Sequence, residues 1–129
     1  MASQSVTPEY APAAIEARWQ EAWREAGVFA TPEPAPDERP AYIFAACPFT
    51  SGSAHMGHIR SYTISDAYAR FLRTRGRAVL FSIGFDAFGL PTEIGAINHG
   101  LTPQEWVQQC RARMRAQFDR LGYSFDWER

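Results

Sequence analysis

The sequence predicts an α/β fold built around one parallel βαβ unit. Two short apolar runs, Tyr42-Ile43-Phe44-Ala45-Ala46-Cys47 and Ala78-Val79-Leu80-Phe81-Ser82-Ile83, flank a stretch with helical periodicity. Each run ends in a loop containing Gly or Pro, residues 48–54 and 84–90. Continuous apolar runs of this length suit strands buried on both faces, as in a parallel sheet. A strand, crossover helix and strand close right-handed, and such open sheets bind ligands outside the carboxyl ends of their strands. Loops 48–58 and 84–93 are therefore the candidate site before any motif is read.

The elements follow in order. Ile15, Trp19, Ala22, Trp23 and Ala26 recur at helical spacing, predicting a packing helix over residues 12–26 with Gly27 as its stop. Residues 31–40 hold Pro32, Pro34, Pro36 and Pro40 and read as a solvated connector. The crossover helix spans residues 57–75, with Ile64, Ala67, Tyr68, Phe71 and Leu72 as its buried stripe and Gly76 just beyond its end. A short helix opens at Pro91. The last helix carries the strongest signals. Thr102 caps it, Pro103 takes its first position and Glu105 completes a capping box. Trp106, Val107, Cys110, Met114, Phe118 and Leu121 form its apolar face. Three regions result: a helical extension over 1–29, a proline-rich linker over 30–41, and an α/β unit over 42–129.

Composition narrows the function classes. The chain has 129 residues, 46% hydrophobic and 21% charged, the balance of a soluble globular protein. No apolar run approaches the roughly 18 residues of a membrane span. The start, residues 1–7, lacks the basic and apolar regions of a secretion signal, so a cytoplasmic location is expected. Cys47 and Cys110 form no metal-binding spacing and read as buried free thiols. The formal net charge of −1 does not suit a domain that grips RNA unaided. All 13 basic residues are arginine. Those at 70, 73, 75 and 77, and at 111, 113, 115 and 120, read as solvated helix faces. Tyr62 and Tyr68 read as packing residues and His99 as a loop residue.

The first loop ends in His55-Met56-Gly57-His58. Histidines three apart at a helix start share a face. Gly57 leaves room for a flat ligand, and free amides at the helix start favour an anion. Two imidazoles there suit a phosphorus centre whose oxygens gain charge during reaction. By spacing alone, a metal pair or two surface histidines remain alternatives. Asp86, in the second loop, reads equally as a turn residue or as a ligand carboxylate.

His55-Met56-Gly57-His58 resembles the His-Ile-Gly-His signature of class I aminoacyl-tRNA synthetases, in the methionine form of the leucyl type. Pro48-Phe49-Thr50-Ser51-Gly52 before it is similar to that type's Pro-Tyr-Pro-Ser-Gly. Arg60-Ser61-Tyr62-Thr63-Ile64-Ser65-Asp66 after it is similar to Arg-Asn-Tyr-Thr-Ile-Gly-Asp. Gly84-Phe85-Asp86-Ala87-Phe88-Gly89-Leu90-Pro91 resembles Gly-Trp-Asp-Ala-Phe-Gly-Leu-Pro, whose Ala-Phe pair separates leucyl from isoleucyl and valyl relatives. The likeness runs from about Glu16 to the end.

This resemblance implies the first βαβ half of a Rossmann-like nucleotide-binding fold, between an amino-terminal and a carboxy-terminal helix. It implies ATP-dependent activation of leucine and transfer to tRNA(Leu), with Mg²⁺ accompanying ATP and no protein-bound metal. It implies that His55 and His58 contact ATP and stabilise developing charge, and that Gly57 lets adenine stack close. Asp86 would hold the substrate ammonium, and Cys47 and Phe49 would line the amino-acid pocket. Cys47 stands where the pattern has phenylalanine, Phe49 where it has tyrosine, Thr50 where it has proline, Ser61 where it has asparagine and Phe85 where it has tryptophan. These changes admit a divergent paralogue for another amino acid. The family's second signature, Lys-Met-Ser-Lys-Ser, is not among these lysine-free 129 residues. The chain is therefore expected to be inactive alone, with a carboxy-terminal half supplying the lysine loop. A stand-alone nucleotide- or partner-binding module and one subunit of a split enzyme are the alternatives.

Overall fold

The computed structural model describes residues 10–129, so the leader reading of residues 1–7 lies outside it. The fold is α/β as predicted. In chain order it contains α1 (Pro12–Glu25), β1 (Ala41–Tyr42), α2 (Met56–Thr74), β2 (Val79–Leu80), α3 (Leu90–His99) and α4 (Pro103–Arg120). β1 and β2 pair in parallel, Ala41 opposite Val79 and Tyr42 opposite Leu80. The ladder extends on either side of this pair. Ile43 N donates to Leu80 O at 2.9 Å, and Asp126 N donates to Phe81 O at 2.8 Å. The segment after α4 thus lies beside β2, with Ser82 opposite Asp126.

The core sits on one side of this small sheet. Ile43, Ala45, Val79 and Phe81 meet Ala69 and Leu72 of α2 and Met114 and Phe118 of α4. Tyr62 lies at its centre, edge-on to Phe118 at 5.4 Å and to Phe125 at 5.8 Å between ring centroids. Edge-to-face aromatic pairs add roughly 0.5–1.5 kcal/mol each beyond their buried area.

Several expectations are corrected. The first apolar run is covered on one face only: Tyr42 is 64% and Phe44 68% exposed, while Ile43 and Ala45 are buried. α2 packs on that one face, and nothing in the described chain covers the other. Cys47, at the end of the run, is exposed; Cys110 is buried, and both thiols are free. The buried stripe of α2 is Tyr62, Asp66, Ala69 and Leu72. Ile64, Tyr68 and Phe71 face outward. The helix carries two apolar faces, and the core chose the one interrupted by Asp66, because Asp66 is satisfied there. The stripe of α1 is also largely open: Ile15 and Trp19 are exposed, and no residue of α1 is fully buried.

Two arginines read as solvated are structural. Arg70 donates to Asp66 and to Gly122 O, and its guanidinium lies 4.9 Å from the Phe29 ring and 5.3 Å from Trp23. Arg73 donates to Ser124 Oγ at 2.7 Å. The proline-rich segment is tied down at both ends, through Thr31 N to Asp126 Oδ2 at 2.7 Å and through Glu38 to the Ala78 amide.

α4 forms as signalled, with Thr102 and Glu105 making the reciprocal capping bonds. Trp106, Cys110, Met114 and Phe118 are its buried face, while Leu121 is 47% exposed. α3 packs against it through Ala96, Trp106 and Cys110. Gly95 permits this approach, since a Cβ there would stand 2.4 Å from Trp106 Nε1. His99 is the last residue of α3, and its ring stacks on Trp106 at 4.0 Å.

Candidate active site

The two loops singled out by topology are joined directly. Phe49 and Asp86 form an isolated parallel bridge. Asp86 N donates to Pro48 O at 2.9 Å, and Thr50 N donates to Asp86 O at 3.2 Å. Beneath this bridge, Thr50 and Thr92 are fully buried with their Oγ1 atoms 3.0 Å apart. The loops therefore form one surface, fed by β1 and β2 and carried onward into α2 and α3. Phe49, on that surface, is 51% exposed. Cys47 Sγ borders Gly84, 3.5 Å from where a Cβ on that glycine would stand.

The histidines start α2. His55 is its N-cap, and His55 Nδ1 accepts from Gly57 N at 3.1 Å. His58 Nδ1 accepts in turn from His55 N at 3.2 Å. The rings stack at 3.9 Å with 24° between planes. These bonds set the tautomers. A ring nitrogen that accepts an amide hydrogen carries no proton, so each neutral imidazole keeps its proton on Nε2. The pair offers two Nε2–H donors. The helix-start amide of Gly57, expected to be free for an anion, is taken by His55 Nδ1. The space above Gly57 is filled by the same ring, since a Cβ there would stand 2.9 Å from His55 Cε1.

Tyr62 supports this arrangement from below. It stacks with His58 at 5.8 Å and donates its hydroxyl to Ala46 O at 2.6 Å. Burial, with Cys47 and Tyr123 nearby, pushes its pKa up to about 12, so it remains a donor throughout the physiological range. The histidine face of α2 is thereby tied to the end of the first apolar run. Sequence reasoning identified Tyr62 only as a packing residue. Its hydroxyl bond joins elements far apart in sequence and has no local signal.

Burial, and then the charge of neighbouring His55, hold the His58 pKa below the ordinary imidazole value of 6.5. A depressed folded-state pKa means the unfolded chain binds the proton more readily. The associated stability is present above about pH 6.5 and is lost as pH falls toward the folded value. An NMR titration of the ring protons should place the His58 midpoint below 6.5. His55→Asn should raise it by removing the like charge without abolishing the shift. A wild-type midpoint at or above 6.5 would contradict this placement.

Among the described residues, no three His, Cys, Asp or Glu side chains cluster as a metal site. A family model described as "tRNA synthetases class I (M)" matches residues 41–127, which includes both loops. The chain belongs to the class I tRNA synthetases. Relatives in the family include a leucine–tRNA ligase of Synechococcus sp. strain JA-3-3Ab, 52% identical over 93% of this chain and 14% of that protein. A leucine–tRNA ligase subunit alpha of Aquifex aeolicus is 46% identical over 94% of this chain and 19% of that protein. A solved ternary complex of Agrobacterium radiobacter LeuRS with tRNA and LeuAMS superposes with a TM-score of 0.81 at 35% identity, over 87% of this chain and 14% of that one. The chain thus spans about one seventh of the length of such synthetase relatives, and within that span it has the class I fold. No helix among the described residues is long and apolar enough to cross a membrane.

Proposed function

We propose that this chain supplies the ATP- and amino-acid-binding half of a leucyl-type class I active site. The observation that carries the reading is the bridged pair of strand-end loops, one presenting two Nε2–H donors and the other Asp86. In the reaction, a leucine carboxylate oxygen attacks the α-phosphorus of ATP. The bond from that phosphorus to the bridging oxygen breaks, giving leucyl-adenylate and pyrophosphate. The leucyl group then passes to the terminal adenosine of tRNA(Leu). His55 and His58 donate to phosphate oxygens as charge accumulates on them. Donors held in place before reaction stabilise that charge without reorganising. Gly57, without a Cβ, lets the His55 ring seat on the helix start, next to where adenine would bind. Asp86 pairs with the substrate ammonium, and Cys47 and Phe49 face the side chain. Mg²⁺ would arrive with ATP and neutralise phosphate charge; among the described residues, no three His, Cys, Asp or Glu side chains are grouped to hold it. With ATP and tRNA as substrates, the work is cytoplasmic.

The 129 residues contain no lysine, so the lysine loop of the family comes from other residues. In the split reading it comes from a second chain, which the subunit name of the Aquifex relative favours. Leucine-dependent exchange of pyrophosphate into ATP tests the assignment, measured in the complete enzyme carrying this segment. His55→Asn and His58→Asn should each lower kcat roughly 10²–10³-fold, the scale for removing one donor to developing charge. Either variant retaining near wild-type exchange would remove its histidine from the reaction. This chain by itself should show no exchange.

A further inference from the structure

We propose that the buried Thr50–Thr92 hydroxyl pair is a latch that positions Asp86 for the ammonium group of the amino-acid substrate, making both threonines positioning residues. The inference rests on the reading of Asp86 given above. Thr50 is 0% and Thr92 1% exposed, and their Oγ1 atoms are 3.0 Å apart. Thr50 lies in the loop after β1, and Thr92 in the first turn of α3, directly after the Asp86 loop. Thr50 also donates its amide to Asp86 O at 3.2 Å, while Asp86 N donates to Pro48 O at 2.9 Å. One residue thus grips both the backbone of Asp86 and the helix that follows it.

The chain between these points packs little of its own: Phe88 is 90% exposed, and Gly89, at φ 123°, accepts from Thr92 N and Glu93 N of the helix it starts. The orientation of Asp86 therefore depends on its two flanks, and Thr50 fixes both. The pattern this chain resembles has proline at this position. Proline has neither an amide hydrogen nor a hydroxyl, so it could make neither bond. The latch is a property of this chain's own residues. Because the two hydroxyls are sealed from water, removing either leaves the other unpaired, which favours local rearrangement.

Pyrophosphate exchange at varied leucine and ATP, in the complete enzyme carrying this segment, tests the latch. Thr50→Val and Thr92→Val should each raise KM for leucine roughly tenfold, the scale of one buried hydrogen bond, with KM for ATP unchanged. Thr50→Ser keeps both amide and hydroxyl and should restore the wild-type KM. A lowered kcat with the leucine KM unmoved would overturn the latch and mark the pair as purely structural. Asp86→Asn separates the two levels. If Asp86→Asn leaves the leucine KM unmoved, the reading of Asp86 fails. If Asp86→Asn raises it and the valine variants do not, the latch alone fails. Should a valine variant not fold, Thr92→Ser and the exchange rate of the Asp86 amide provide a second reading. Protection of that amide should match wild type in Thr92→Ser and fall in Thr92→Ala. Equal protection in both variants overturns the proposal.

Discussion

Gly57→Ala should abolish most leucine-dependent pyrophosphate exchange in the complete enzyme while barely changing stability. The added Cβ would stand 2.9 Å from His55 Cε1 and 3.0 Å from His55 Nδ1. Contacts that short cannot persist, and His55 is exposed, so its ring swings away. Three things go with it: the cap on Gly57 N, the 3.9 Å stack on His58, and the position of one Nε2–H donor. Losing a cap costs about 0.5–2 kcal/mol, and replacing glycine by alanine inside a helix returns about 1 kcal/mol. The two nearly cancel, so Tm should move little. Misplacing a catalytic donor by about 1 Å is enough for a loss of roughly 10² in rate. A Gly57→Ala enzyme with wild-type kcat would show that the His55 ring position does not matter to the reaction.

The largest stability effect should come from Asp66→Ala. The Asp66 side chain is buried within α2 and makes three bonds. Oδ1 accepts from Ser124 N and Ser124 Oγ, both at 2.6 Å, and Oδ2 accepts from Arg70 Nε at 2.7 Å. Arg70 continues to Gly122 O and packs its guanidinium over Phe29, while Arg73 holds Ser124 from the other side. The segment after α4 is thus pinned to α2, which keeps Asp126 beside β2 and Thr31 on Asp126. Truncation leaves a buried amide and hydroxyl without their acceptor and a half-buried guanidinium without its partner. Removing one side of such a pair costs about 3–5 kcal/mol. For a chain of this size that corresponds to a fall in Tm of roughly 10–20 °C. Asp66→Asn keeps an acceptor for Ser124 and should lose about half as much. Thermal unfolding of the three proteins decides it, and an Asp66→Ala chain within about 1 kcal/mol of wild type would contradict the network.

Asp66 also shows where sequence reasoning stops. A carboxylate breaks the apolar periodicity of α2, so the pattern pointed to Ile64, Tyr68 and Phe71, which face outward. The true face becomes visible only with Ser124 and Arg70 in place, and these meet Asp66 through tertiary contact. Arg70 and Arg73 escape the pattern for the same reason, since a half-buried arginine has the same letter as a solvated one. Local signals fared better. Thr102, Pro103 and Glu105 define the start of α4 because capping needs only neighbours along the chain. The two candidate loops follow from the general placement of ligands at strand ends. Their joining through Phe49 and Asp86, and the Thr50–Thr92 contact beneath, were not. Both depend on how far each strand runs before it turns. The stacked histidines were expected on one face, but the bonds that assign their protons required the N-cap geometry of His55.

The central proposal is that loops 48–58 and 84–93 together form the adenylate half-site. Titrating the ¹⁵N-labelled 129-residue chain with a non-hydrolysable leucyl-adenylate analogue, followed amide by amide, tests it most directly. Shifts should concentrate at His55, Gly57, His58 and around Phe85 and Asp86, and should be lost in the His55→Asn, His58→Asn double variant. Shifts that spare both loops, gather instead between α1 and the segment after α4, or survive the double variant would contradict the claim.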